Sequence, residues 1–427
     1  MSGPKHLGFD TLALHGGQQP DPVTGARAQP IYQSVSFVFN DTDEASSRFD
    51  IARSGYVYSR IGNPTVAVLE ERLAMLEGGV GAVATASGMA AIHLAITTLA
   101  GAGDHIVASR ALYGGTHNLL SYTLPRFGIK TTFVDPRDPD AFAAAVRPET
   151  RLVFAETVAN PRCEVLDIEA VAARAHEAGL PLVIDSTLTT PHLLRPLEHG
   201  ADIVVHSLTK FIGGHGTTMG GAVVDGGRFD WLRWPQRVST TLTASQGSTG
   251  SASPRSSSAG FHHPRAPRLR ISPRWRGPAG DQRVRSAAGA GDACCGWTAT
   301  SPMHASWPSS SPPRPAGSDV THPASPDHPD HARARRRLLP RGAGAVFSFE
   351  IGAAARGRSK LIESLNLFSA DLANVGDAKV ARDPSGGTTH ARMDDDFRAG
   401  RGGDLAGPGA PVDRALWCPT TGSTILS

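Results

Sequence analysis

The chain has 427 residues, 40% of them hydrophobic and 19% charged, with a formal net charge of +3 at pH 7. That length supports a large core and two or three domains, and a net charge so small over this length does not by itself argue for nucleic acid; no nucleic-acid partner is expected. No segment approaches the ~20 apolar residues of a membrane span, the N-terminus lacks a signal-peptide core, and Cys163, Cys294, Cys295 and Cys418 have neither disulfide-framework nor metal-site spacing, so a cytoplasmic enzyme without a metal or a membrane partner is expected.

Residues 1–65 are rich in Gly, Pro, Thr and Gln and read as an extended N-terminal arm with short pieces of structure. From residue 66 to 230 the pattern becomes that of an α/β domain. Val66, Leu69, Leu73 and Leu76 mark an amphipathic helix closed by Gly78-Gly79. Strands are expected at Val83–Ala86, His105–Ser109, Thr131–Val134, Leu152–Glu156, Leu182–Asp185 and Ile203–Val205, with helices at Gly88–Leu99 and Tyr113–Leu120. Such alternation predicts a mainly parallel sheet, whose ligands bind beyond the carboxyl ends of the strands.

The composition then shifts. Residues 231–340 contain 17 Ser, 15 Pro and 15 Arg, and Ile271 is their one isoleucine. Lys is absent from 211–349 and Glu from 199–349, although both are favourable helix formers. The stretch reads as an irregular segment, either a linker or sequence translated out of frame. Ordered sequence is expected again from 341 to 427, with a strand at Gly342–Glu350 and a helix through Leu361, Ile362, Leu365 and Leu367.

The chemistry concentrates at 202–216, where a short apolar strand runs into Ser207, Thr209 and Lys210 and then Gly-Gly-His-Gly. Two hydroxyls beside one lysine suit a bound phosphate and a carbonyl-reactive amine, the pairing that pyridoxal phosphate requires. Ser87, Gly88 and Met89 fall between a strand and a helix start, where backbone N–H groups and the helix dipole favour an anion; Ser87 could equally be only the helix cap. Asp185 ends an apolar strand and could pair with a pyridinium nitrogen or serve as a turn residue. Tyr113 could stack on a flat heterocycle or fill the core. Tyr58 and Arg60 lie in the arm, within reach of a neighbouring subunit's phosphate, or are ordinary loop residues.

These stretches, together with FDTLALHGGQ at 9–18, YSRIGNPTVAVLEERLAMLEGG at 58–79 and SRALYGGTHNLL at 109–120, resemble the Cys/Met-metabolism family of fold-type-I pyridoxal-phosphate enzymes, and within it the O-acetylhomoserine sulfhydrylase branch. The likeness is nearly continuous from about residue 7 to 230 and patchy from 340 to 395. It implies a three-layer, mainly parallel sheet with an incomplete C-terminal α+β domain. It further implies that Lys210 carries the cofactor and that Asp185 meets the ring nitrogen. Tyr113 would stack on the ring and assist proton transfer, and Asn160 would stand near the ring hydroxyl. Gly88, Met89, Ser207 and Thr209 would hold the phosphate, with Tyr58 and Arg60 contributed by the partner in a dimer of active sites within a homotetramer.

By the same resemblance the reaction is γ-replacement on an amino-acid substrate, O-acetylhomoserine, by sulfide or a thiol, in methionine biosynthesis. A γ-lyase of the same family is the alternative, which Gly115 disfavours because some family lyases carry cysteine there. An Arg-rich anion-binding protein and a catalytically defective product are the alternatives of another class. The family's late arginine motif, which grips the substrate carboxylate, has no counterpart; Arg414 lies nearby in a different context and is given no role.

Overall fold

The computed structural model describes residues 7–49, 53–160, 162–214, 216–231, 233, 320–350, 375, 381–384 and 414–418. The arm carries two short helices, α1 (Phe9–His15) and α2 (Thr42–Phe49), and an isolated bridge between Ser36 and Tyr58. It leads into α3 (Pro64–Glu77), which starts where Asn63 accepts the Thr65 N–H at 2.9 Å and Pro64 occupies the first helical position.

Seven strands follow: β1 (Gly81–Thr85), β2 (His105–Ser109), β3 (Lys130–Val134), β4 (Thr150–Glu156), β5 (Leu182–Asp185), β6 (Ile203–Ser207) and β7 (Gly221–Asp225). They form one sheet in the order β1-β7-β6-β5-β4-β2-β3, and β7 alone runs against its neighbours. The expected mainly parallel sheet is therefore present, with β7 as an element the strand pattern had not marked. Helices α4 (Gly88–Leu99), α5 (Gly114–Asn118), α6 (Pro139–Ala144) and α7 (Ile168–Glu177) connect them.

Two cores explain the layering. On one face, Leu69 and Leu73 of α3 and Val171 and Ala175 of α7 pack on Val153, Ala155, Ile184 and Val204. On the other, Ala91, Ile92 and Ala95 of α4 pack on Leu152, Phe154, Val183, Ile203 and Val205. Successive strand residues alternate between the faces, and each fully buried Leu, Ile or Phe contributes about 1.5–3 kcal/mol. This gives helix, sheet and helix in three layers. The alternation continues to the strand ends, so Glu156 of β4, Asp185 of β5 and Ser207 of β6 all fall on the α4 face. Parallel register aligns those ends, with Glu156 beside Asp185 and Asp185 beside Val205.

Several expected elements differ in their bounds: the strands expected from Thr131 and Leu152 begin at Lys130 and Thr150, the one expected to end at Val205 runs to Ser207, and the one expected at Gly342–Glu350 is confined to Phe347–Glu350. The first expected strand lies earlier, at Gly81–Thr85, because Ala86 bends away toward the helix start. The helix expected at Tyr113–Leu120 begins only at Gly114; Tyr113 stays outside it (φ −56°, ψ 138°), its N–H held by Glu156. After Asn118 the helix widens through Leu119–Thr123 and tightens to Phe127.

A second sheet contains β8 (Val320–Thr321), β9 (Phe347–Glu350), β10 (Ala381–Pro384) and β11 (Arg414–Cys418), antiparallel in the order β10-β11-β9-β8. Residues 320–340, inside the segment read as irregular, dock on the first domain. Ala334, Leu338 and Leu339 enter the α3/α7 core, the Asp330 carboxylate accepts the Val165 N–H, and Arg333 donates to Val165 O. The helix expected at 361–367 and the stretch 234–319 lie outside the described residues.

Candidate active site

The parallel strand ends build the site. Thr187, two residues past β5, donates both its N–H (2.9 Å) and its hydroxyl (2.6 Å) to Asp185 Oδ1. The Thr187 hydroxyl in turn accepts the Ser207 N–H at 2.8 Å, so one threonine fixes the strand-end carboxylate and the start of the lysine turn together. Burial pushes the Asp185 carboxyl up; the two Thr187 bonds and the His206 charge oppose that. A cationic group facing Asp185 would hold its proton off.

The anion cradle lies beside it. Ser87 Oγ accepts the Ala90 N–H at 3.1 Å and caps α4, so the cap reading and the cradle reading of Ser87 are compatible. At Gly88 the helix start presses on β6: a Cβ there would stand 2.5 Å from Ser207 Cβ and 2.9 Å from Ser207 Oγ. The absence of a side chain brings the Gly88 and Met89 backbone to the Ser207 hydroxyl, which suits an anion gripped by both. Thr209 Oγ1 donates to Gly220 O at 3.2 Å and accepts the Gly220 N–H at 3.1 Å, pinning the lysine turn to the approach of β7. Within that turn the Lys210 N–H donates to Ser207 O, and Lys210 O accepts the Gly214 N–H.

Tyr113 and Asn160 follow the ends of β2 and β4. The Tyr113 ring lies over Gly115, where a Cβ would stand 2.6 Å from Tyr113 Cε1 and 3.2 Å from Met89 Sδ. Glycine at 115 is what lets the ring adopt that place. Asn160 Oδ1 is buried without a hydrogen-bond partner among the described residues, an acceptor that a ligand hydroxyl would satisfy. Tyr58 and Arg60 belong to the arm. Both are exposed, and the Arg60 guanidinium sits 5.3 Å from the Tyr58 ring centroid.

Two residues of the site were missed in the sequence. Thr187 follows Asp185 at the two-residue spacing of a side-chain turn, a signal that was available. Glu156 was placed at a strand end but not on the site's face; the alternation Leu152, Phe154, Glu156, in step with Val183 and Asp185, marks it. Its Oε1 accepts the Tyr113 N–H at 2.6 Å. Burial pushes its carboxyl well up, helped by the Asp185 charge and opposed by the backbone N–H groups of Tyr113 and Asn160. Among the described residues no group of His, Cys, Asp and Glu could hold a metal ion, and no helix is long and apolar enough to cross a membrane.

A three-layer α/β sheet that gathers a lysine, a helix-start anion cradle, a strand-end carboxylate and an unsatisfied amide oxygen at its carboxyl edge has the plan of a fold-type-I pyridoxal-phosphate enzyme. These residues fit that cofactor: the cradle at Gly88 and Ser207 for its phosphate, Asp185 for its ring nitrogen and Asn160 Oδ1 for its ring hydroxyl. The chain belongs to the Cys/Met metabolism PLP-dependent enzyme family, whose sequence profile matches residues 10–255 and 301–405; the second span begins well before residue 340. The O-acetyl-L-homoserine sulfhydrylase of Leptospira meyeri is 56% identical over 230 residues, 54% of this chain and 52% of that protein, so against that relative the chain spans about half the length. The homocysteine synthase of Schizosaccharomyces pombe is 39% identical over 412 residues, 92% of each chain. A Campylobacter jejuni structure described as an O-acetylhomoserine (thiol)-lyase, with pyridoxyl-lysine monophosphate in place, superposes with a TM-score of 0.87 at 28% identity over 97% of each chain.

Proposed function

We propose that the chain catalyses γ-replacement on O-acetylhomoserine by sulfide, giving homocysteine and acetate. The likeness to a homocysteine synthase along nearly the whole chain carries this reading. The Tyr113 ring seated over Gly115 accords with it.

When bound, pyridoxal phosphate supplies an aldehyde for the substrate amine and a ring that withdraws electrons from its α carbon. Lys210 Nζ removes the α proton and then serves at the β carbon, which opens the γ carbon to loss of acetate and entry of sulfide. Asp185, with Oδ1 fixed by Thr187, would supply the negative charge that favours a protonated ring nitrogen. Ser207, Thr209 and the Ser87–Met89 helix start would hold the phosphate, and Tyr113 would face the ring and assist proton transfer.

The active form is a homo-oligomer, a dimer of active sites within a tetramer, in the cytoplasm. The exposed Tyr58–Arg60 pair on the arm supports this, since an exposed guanidinium beside a phenol suits a neighbour's phosphate. Supplying O-acetylhomoserine with and without sulfide tests the function. Homocysteine formed only with sulfide is the expected result; keto acid and ammonia released without sulfide would assign a γ-lyase instead.

A further inference from the structure

We propose that Glu156 is a positioning residue: its side chain ties the Tyr113 and Asn160 loops to the end of β4 and so sets the wall that faces the cofactor ring. The inference rests on the reading that this sheet edge seats pyridoxal phosphate.

Glu156 is the last residue of β4, on the same face as Asp185 and Ser207 and only 7% exposed. Its Oε1 accepts the Tyr113 N–H at 2.6 Å, across 43 residues of sequence. The same carboxyl takes the backbone N–H of Asn160. One side chain therefore joins the loop after β2 to the loop after β4, and the two amides it holds belong to the two residues assigned to the ring.

The placement is costly, because a second carboxylate, Asp185, is its register neighbour, and two buried acids side by side oppose each other's ionisation. A buried acid held there by two loop amides is explained if those loops must keep one geometry. Residues 157–166 reinforce the wall: Val158 bridges Val165, and Ala159 N donates to Glu164 O at 2.9 Å. The structure thus assigns the function of Glu156 to reach rather than charge. Aspartate, one methylene or about 1.5 Å shorter, keeps the charge and loses the span; glutamine keeps the span and an acceptor oxygen.

The test titrates wild-type apo-protein and the Glu156→Gln, Glu156→Asp and Glu156→Ala variants with pyridoxal phosphate. Affinity, visible circular dichroism of the bound cofactor and apo melting temperature are read for each. Glu156→Gln is expected to bind within about threefold of wild type with an unchanged dichroic band. Glu156→Asp and Glu156→Ala are expected to bind roughly tenfold or more weakly, the loss of one to two hydrogen bonds, with an altered band. Lowered melting with wild-type affinity and band would mean a purely structural residue and would overturn the proposal. So would a glutamine variant as impaired as the aspartate one, since charge would then be the operative property. If Glu156→Ala does not fold, the Gln-against-Asp contrast decides alone. Failure of the wild-type protein to take up pyridoxal phosphate would overturn the site assignment itself along with the role of Glu156.

Discussion

The carboxyl edge of the sheet and the N-terminal arm both carry candidate site residues, and they hold them by opposite means. At the sheet edge each candidate residue is fixed by neighbours on the sheet: Asp185 by Thr187, the Ser207 backbone by Thr187, the α4 start by close packing at Gly88. The arm is held by polar contacts, such as Asp21 with Tyr32 and Asn63 with Tyr32 O, and leaves apolar residues outside. Val38 is 94% exposed and Val23 90%, whereas Phe154 in β4 is 0%. Isolated exposed hydrophobics are ordinary; in the proposed oligomer a second copy would cover part of this surface. In the proposed assembly the sheet edge is folded by this chain, and the exposed Tyr58–Arg60 pair would be presented to a second copy.

The sharpest way to break that comparison is to alter one residue of each region. Asp185→Asn, which removes a charge aligned by two hydrogen bonds, should lower kcat/KM by about 10²–10³-fold. Activity within a few-fold of wild type would remove Asp185 from the mechanism. Arg60→Ala should weaken cofactor affinity by about 10–100-fold through loss of charge-assisted bonds and leave the melting of the apo-protein unchanged. If the arm serves a partner, mixing Arg60→Ala with Lys210→Ala chains should restore up to roughly a quarter of the wild-type sites, since only hybrid dimers hold an intact pair. No recovery after subunit exchange would place Arg60 in its own chain's site.

A smaller effect separates the arm by its acid sensitivity. The Thr24 N–H, and after it the Tyr32 and Thr24 hydroxyls and the Val23 N–H, lower the Asp21 carboxyl from 3.8 to about 2. Its folded value lies below its unfolded one. Its stabilisation of the arm is therefore full above pH ~4 and is lost as pH falls through about 2. Hydrogen exchange of residues 21–32 should show an acid-dependent loss of protection that Asp21→Asn abolishes, and a profile unchanged by the variant would exclude this carboxylate as the cause.

Much of the sheet edge was legible because its signals are local. Apolar runs of four or five residues gave β2 and β5 to the residue, and Ser87 before an apolar helix placed α4. What escaped depends on distance. Glu156 looks like any acid at a strand end until Tyr113, 43 residues earlier, is seen to donate to it. β7 is five residues between glycines, and its antiparallel insertion between β1 and β6 has no local marker. Residues 320–340 hid behind composition. Few apolar side chains, Ala334, Leu338 and Leu339 among them, suffice to dock them, while Arg333 spends its charge on Asp330 and Asp167.

The central claim is that the amine of Lys210 carries the cofactor at this sheet edge. Borohydride reduction of the protein with pyridoxal phosphate, followed by peptide mass spectrometry, tests it directly. The account predicts a single phosphopyridoxyl adduct on the peptide containing Lys210, lost in Lys210→Ala together with activity. An adduct on another lysine, or full activity in Lys210→Ala, would contradict it.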